Sequence, residues 1–165
     1  NRLCFARWIK GFMVVELYED SIEVNAPVAF CYQQWRDFSA LPTIFHNVRA
    51  IHPLGEDVWR WELFDAVKDT NNWDLLLVDD IPNRLISWKT LAGPELDMKT
   101  EINFQSINPT RTRLVVTMCT TMDDTLTGKI MNELFGIGSP TIGLNLSEFR
   151  QATEAIWGLE TQKAN

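Results

Sequence analysis

Histidines, the side chains that most readily move protons near neutral pH, are scarce in this chain. His46 and His52 are its only histidines, six residues apart in a β-prone run, so an unbroken strand would point both the same way. Such groups, or His46 with Tyr32, would suit a base that removes an activated α-proton and an acid that helps a hydroxyl leave. No carboxylate or third histidine completes a recognisable metal set, and no Ser or Cys has an assignable base, so neither a metal nor a cofactor is expected. His46 and Tyr32 are therefore catalytic candidates without an identified partner. A strand-end histidine is more often a surface or structural group.

Cys4, Cys31 and Cys119 are odd in number and far apart, which makes neither a disulfide framework nor a spaced zinc site. Buried, reduced thiols in a cytoplasmic protein are the expectation. The net charge of -7 argues against a phosphate-binding surface, and nucleic acid is not an expected partner. No apolar run reaches the roughly 20 residues of a transmembrane segment, so the reading is a soluble protein.

The elements that must position these groups follow from periodicity. Phe12 to Val24 reads as a first strand. Asn25, Ala26 and Pro27 turn into a helix, with Asn25 or its neighbour as cap and Phe30, Cys31, Trp35 and Phe38 on its buried side. Ser39 then caps a second short turn containing Leu41, Pro42, Ile44 and Phe45. Strands follow from His46 to Pro53, Val58 to Phe64, Trp73 to Ile81, Arg84 to Leu91, Asp97 to Ile107 and Arg113 to Thr121. Gly55 and Asp57, Asn71 and Asn72, Pro82 and Asn83, Gly93 and Pro94, and Asn108 and Pro109 punctuate them. A helical segment over Leu126 to Phe135 is interrupted by Gly136, Gly138 and Pro140.

The last stretch, Ser139 to about Leu159, is an amphipathic helix capped by Ser139 with Pro140 in its first turn. Ile142, Leu146, Phe149, Thr153 and Ile156 make its apolar stripe, Glu148, Gln151 and Glu154 fall opposite, and Leu144 lies off the stripe. A single long helix after a run of hairpins packs on the face of their sheet. Residues 1–12 read as an N-terminal extension, 13–160 as one domain and 161–165 as a tail. Arg2, Arg7 and Lys10 among Leu3, Phe5, Trp8 and Ile9 also fit a membrane-surface helix or a targeting remnant, which allows transient membrane-surface contact.

In local sequence, Ile22 to Val28, Trp35, Asp37, Phe38, Leu41, Pro42, Ile86 with Trp88, Thr112 with Leu114 and Val116, and Leu144 to Glu154 resemble the START-like, helix-grip superfamily. That superfamily contains polyketide cyclase/dehydrases, lipid-transfer proteins and coenzyme Q-binding proteins. The resemblance implies an α+β fold: a curved antiparallel sheet of about seven strands wrapped around the C-terminal helix, with two short helices after the first strand. Thr100 stands where the family often has Gly, which would narrow a cavity there.

The resemblance further implies an open apolar cavity of at least about a few hundred Å³ between sheet and helix. Alternation puts Trp59 and Trp61 on one face, and likewise Trp73, Leu75 and Leu77, Ile86 and Trp88, Ile102 and Phe104, and Leu114 and Val116. With Trp35, Phe45, Phe149 and Ile156 these are the expected ligand-binding residues, while Glu62, Asp74, Glu101 and Arg60 are expected on the wet face. Three functions fit. The first is binding or transport of a hydrophobic small molecule, a lipid, quinone or polyketide-like compound. A cyclase or dehydratase using the same cavity is the second, and a protein-interaction domain with a closed interior the third.

Overall fold

A computed structural model describes residues 6–9, 12–65, 69–92, 97–122 and 145–163, with side chains described over 19–64, 72–91, 99–118 and 145–163. Eight strands form one antiparallel sheet: β1 (Ala6–Ile9), β2 (Phe12–Val24), β3 (Val48–Gly55), β4 (Val58–Asp65), β5 (Asp69–Ile81), β6 (Leu85–Ala92), β7 (Asp97–Asn108) and β8 (Arg111–Met122). Among the described residues three helices accompany it: α1 (Val28–Arg36), α2 (Leu41–Ile44) and α3 (Leu146–Lys163). The strand order is β1-β2-β8-β7-β6-β5-β4-β3. Because β2 pairs with β8 while β3 lies at the far edge, the chain between β2 and β3 must cross the sheet. The elbow of α1 and α2 makes that crossing.

The seven long strands are those that the hydrophobic pattern predicts, and β1 is an eighth. It pairs Ala6–Ile9 with Phe12–Val15, so these four residues are strand and not a surface helix. The register shifts between Glu16 and Tyr18, Val48 and Ala50, Pro53 and Gly55, Asp74 and Leu75, Leu77 and Asp79, and Ser106 and Asn108. Each irregularity bends its strand and adds twist, which is how a long sheet curls around a helix. Two turns use left-handed backbone at non-glycine residues, Asp57 (φ 59°) and Asn83 (φ 61°). At the second, Pro82 precedes Asn83 and Arg84 N–H donates to Ile81 C=O at 3.0 Å, the arrangement of a type II turn.

Several boundaries differ from expectation for local reasons. Asn71 and Asn72, expected to open the strand from Trp73 to Ile81, lie inside β5, because they pair directly with Leu63 and Glu62 of β4. Pro27 takes the N-cap position of α1 and Asn25 is not its cap. Instead Asn25 donates from its backbone N–H and from Nδ2 to Glu154 Oε1 at 2.7 and 3.0 Å, tying the turn to α3. Ser39 does not cap α2; its hydroxyl donates to Asp37 Oδ1 at 2.5 Å. Asn145 is the N-cap of α3, accepting from Ser147 N–H at 3.0 Å, and the helix runs on through Lys163. The expected Ser139 cap, Pro140, Ile142, Leu144 and the Leu126 to Phe135 helix with its glycine break lie outside the described residues.

The buried face of α3 is Leu146, Phe149 and Thr153, with Trp157 packed against Phe30 at 5.0 Å between ring centroids. Ile156, expected to face the sheet, is instead 37% exposed, a correction with a simple cause. Steps of three, four and four from Leu146 bring Trp157 inward, and the stripe read from sequence slips by one residue at its last turn. Phe149→Ala should therefore cost about 3–5 kcal/mol, as deletion of a buried ring does. Ile156→Ala should stay within about 0.5 kcal/mol. Urea midpoints of the two variants check this.

Candidate functional site

The concave face of the sheet is apolar across five adjacent strands. Trp61 and Leu63 of β4, Trp73, Leu75 and Leu77 of β5, Ile86 and Trp88 of β6, Ile102 and Phe104 of β7, and Leu114, Val116 and Met118 of β8 are all buried. The register places them in rows: Leu77 is opposite Trp88, Trp88 opposite Thr100, and Thr100 opposite Met118. Trp59 is half-buried and meets Phe38 edge-on at 5.1 Å. The structure thus gathers the expected ligand-binding residues into one interior, Ile156 excepted. Phe38 and Thr112, also buried there, were not among them.

One part of this interior is occupied by its own rings. Trp35, Phe45 and Phe149 are fully buried and touch one another, with centroids 4.7 Å apart for Trp35 and Phe149 and 5.5 Å for Trp35 and Phe45. Phe38 makes a second group with Trp59, Trp61 and Trp88. Among the described residues the walls also carry polar atoms without partners. Trp35 Nε1 and Thr153 Oγ1 on the helices, and Trp73 Nε1 and Thr100 Oγ1 on the sheet, are buried and accept or donate no hydrogen bond. Thr112, by contrast, donates to Ala26 C=O at 2.8 Å. The hydroxyl at Thr100, 2% exposed, projects where a glycine would leave bare backbone.

The proton-handling candidates do not converge. His46 and His52 do not share a strand face, because β3 starts only at Val48 and His46 belongs to the loop after α2. His46 is 75% exposed, with Nδ1 against the Glu148 carboxylate and its backbone N–H donating to Glu148 Oε2 at 3.1 Å. His52 is exposed and lies 3.4 Å from Glu62 on β4. Arg60 and Asp74, directly opposite across β4 and β5, form a two-point pair at 2.8 and 2.9 Å. The Arg60 hydrogen bonds beside it hold the Asp74 carboxyl below its ordinary range. Glu101 pairs with Lys99 at 2.7 Å.

Tyr32 is better placed than His46, and it meets a residue that alternation hid. Its hydroxyl donates to Asp80 Oδ1, while Arg36 Nε donates to Asp80 Oδ2 at 2.6 Å. Strict alternation from Leu77 would turn Asp80 outward, but the irregularity between Leu77 and Asp79 reverses the parity. Asp80 then stands opposite Ile86 and faces α1. Burial, followed by the hydrogen bond to Asp80, pushes the Tyr32 phenol up to about 12. At neutral pH it is a donor and no base. Among the described residues no group of three His, Cys, Asp or Glu could hold a metal ion, and no helix is long and apolar enough to cross a membrane.

The architecture places the chain in a known structural class. It has the START-like helix-grip fold, the fold of the polyketide cyclase/dehydrase and START proteins. It is similar to a START superfamily protein from Mycobacterium smegmatis, with a TM-score of 0.63 and 15% identity over 86% of this chain and 97% of that one. A similar match is the Zhui aromatase/cyclase of a Streptomyces species, with a TM-score of 0.58 and 21% identity over 87% and 88%. In sequence the chain is 26% identical over 137 residues to an uncharacterized 17.2 kDa protein encoded in the melC2-rnhH intergenic region of Streptomyces lincolnensis, covering 82% of this chain and 88% of that protein. No family model matches the chain.

Cys31 is on the buried side of α1, with its thiol directed at Ala26 C=O at 3.8 Å. Burial raises its pKa from the usual 9.0 to about 11. The native state therefore holds this proton more tightly than the unfolded chain does. That stabilises the fold below about pH 9 and fades as pH rises toward about 11. Between pH 8 and pH 10 the protein should lose about 1 kcal/mol more stability than Cys31→Ala, read from urea midpoints. Tyr32 titrates in both and cancels.

Proposed function

We propose that the protein binds or carries a hydrophobic small molecule, of lipid, quinone or polyketide-like type, between the concave sheet face and α3. The carrying observation is the set of four buried polar atoms without partners, distributed over both walls of an apolar interior. An unpaired buried donor or hydroxyl costs about 1–3 kcal/mol, so a fold rarely keeps several unless something polar meets them. Ligand sites have this composition, mostly apolar with a few convergent polar groups. The similarity to a START protein and to an aromatase/cyclase supports the reading at the level of fold. A reducing, cytoplasmic setting fits the free buried thiol of Cys31.

The cyclase or dehydratase alternative is supported by the Tyr32, Asp80 and Arg36 cluster, the nearest approach to acid-base machinery on the inner side of the sheet. Its weakness is chemical. The Tyr32 hydroxyl already donates its hydrogen bond to Asp80, and Asp80 is ion-paired with Arg36, so neither is a free base. His46 faces solvent and its ring is engaged by Glu148. Binding is the stronger conclusion.

Native mass spectrometry of the purified protein should show an adduct that is lost on denaturation and extracted by organic solvent. His46→Ala should leave that adduct unchanged. Absence of any adduct, together with failure to take up an added apolar fluorophore, would overturn the proposal.

A further inference from the structure

Resting on the binding reading, a narrower statement follows from the kinds of polar atom left unpaired. Hydroxyls donate and accept, whereas an indole N–H only donates. Whatever meets an unpaired indole must offer a lone pair. Of the two such indoles, Trp35 is wedged between Phe45 and Phe149, and its ring serves the helix contact. Trp73 is different. It is 3% exposed, lies on the concave face opposite Trp61, and makes no ring-ring contact among the described residues.

Thr100 is the other unpartnered group on the sheet wall. It sits two strands from Trp73 and two same-face rows further along, level with Leu77 and Trp88. Strand rise and spacing put the two Cα atoms roughly 15 Å apart, so one small polar group cannot satisfy both. Between them lie the apolar Leu75, Leu77 and Trp88 and one polar side chain, Thr90, buried opposite Leu75.

We infer that Trp73 is the polar anchor of the binding site, its indole N–H donating to a carbonyl-type oxygen on a flat apolar ligand. The Thr100 hydroxyl marks a second position where an oxygen is accommodated. The site then selects oxygenated compounds over hydrocarbons of the same shape, because only the former pair a donor that is otherwise stranded.

The test uses two probes that share a tricyclic frame, 9-fluorenone, with one carbonyl, and fluorene, with none. Affinities are measured on the full chain and on Trp73→Phe, which keeps an aromatic ring and removes the donor. Loss of one hydrogen bond should weaken fluorenone about fivefold and leave fluorene within about twofold. In the unaltered protein the Trp73 indole proton resonance, assigned by its disappearance in Trp73→Phe, should shift downfield with fluorenone and not with fluorene. This second readout needs no folded variant at the titration stage. Equal weakening of both probes, or no selective shift of that resonance, would overturn the anchor while leaving the binding reading intact. Failure of the unaltered protein to bind either probe would overturn both.

Discussion

The distance between α3 and the sheet is set by aromatic rings. Phe149 lies against Trp35 at 4.7 Å and Phe45 at 6.4 Å, and Trp35 in turn meets Phe45. Rings of this size are rigid and have few rotamers, so their contacts behave as spacers. The α1–α2 elbow is thereby held under the helix. Phe38, leaving α1, carries the same contact on to Trp61 and Trp88 of the sheet. The curl of the strands, introduced at their irregularities, is what lets one elbow reach both layers.

Polar ties fix how the layers are oriented around that aromatic centre. Glu148 in the first turn of α3 takes the His46 backbone N–H, and Glu154 further along takes the Asn25 N–H and side-chain amide. Both are charge-assisted bonds from a helix carboxylate to a turn, and they pin α3 at two heights. Asp80 does the equivalent for α1 by engaging Tyr32 and Arg36 together. Exposed pairs of this kind add little stability each. Their use is geometric: they hold the elbow and the helix at set positions over the concave face.

Most of this was legible in the sequence because the strands alternate cleanly. Trp73, Leu75 and Leu77, or Ile102 and Phe104, announce their face by period alone, and Pro82 with Asn83 announces its turn. What escaped did so where the period breaks. The irregularity after Leu77 turns Asp80 inward against simple parity, and that between Val48 and Ala50 spoils the count along β3 that was to align His46 with His52. On α3 a helix period of 3.6 leaves Ile156 and Trp157 nearly equivalent by pattern, and packing against Phe30 chooses the tryptophan. Unpaired polar atoms such as Thr100 Oγ1 have no sequence signature, since a threonine reads the same whether or not its hydroxyl finds a partner.

The distribution of donors and bases argues for what the interior does. Catalysis of a dehydration needs a group that accepts a proton at neutral pH close to the substrate. The described inner face offers indoles, hydroxyls and a phenol raised to about 12, all of them donors there, while the carboxylate beside them, Asp80, is exposed and already paired twice. An apolar wall with isolated donors can orient an oxygen-bearing guest and discriminate its shape, but it cannot take a proton from it. Among the described residues, a base beside that face would have to be Asp80 after release by Tyr32 or Arg36. The geometry that closes α1 over the sheet is the same geometry that keeps Asp80 occupied, so a free carboxylate at that position and a fixed α1 exclude one another.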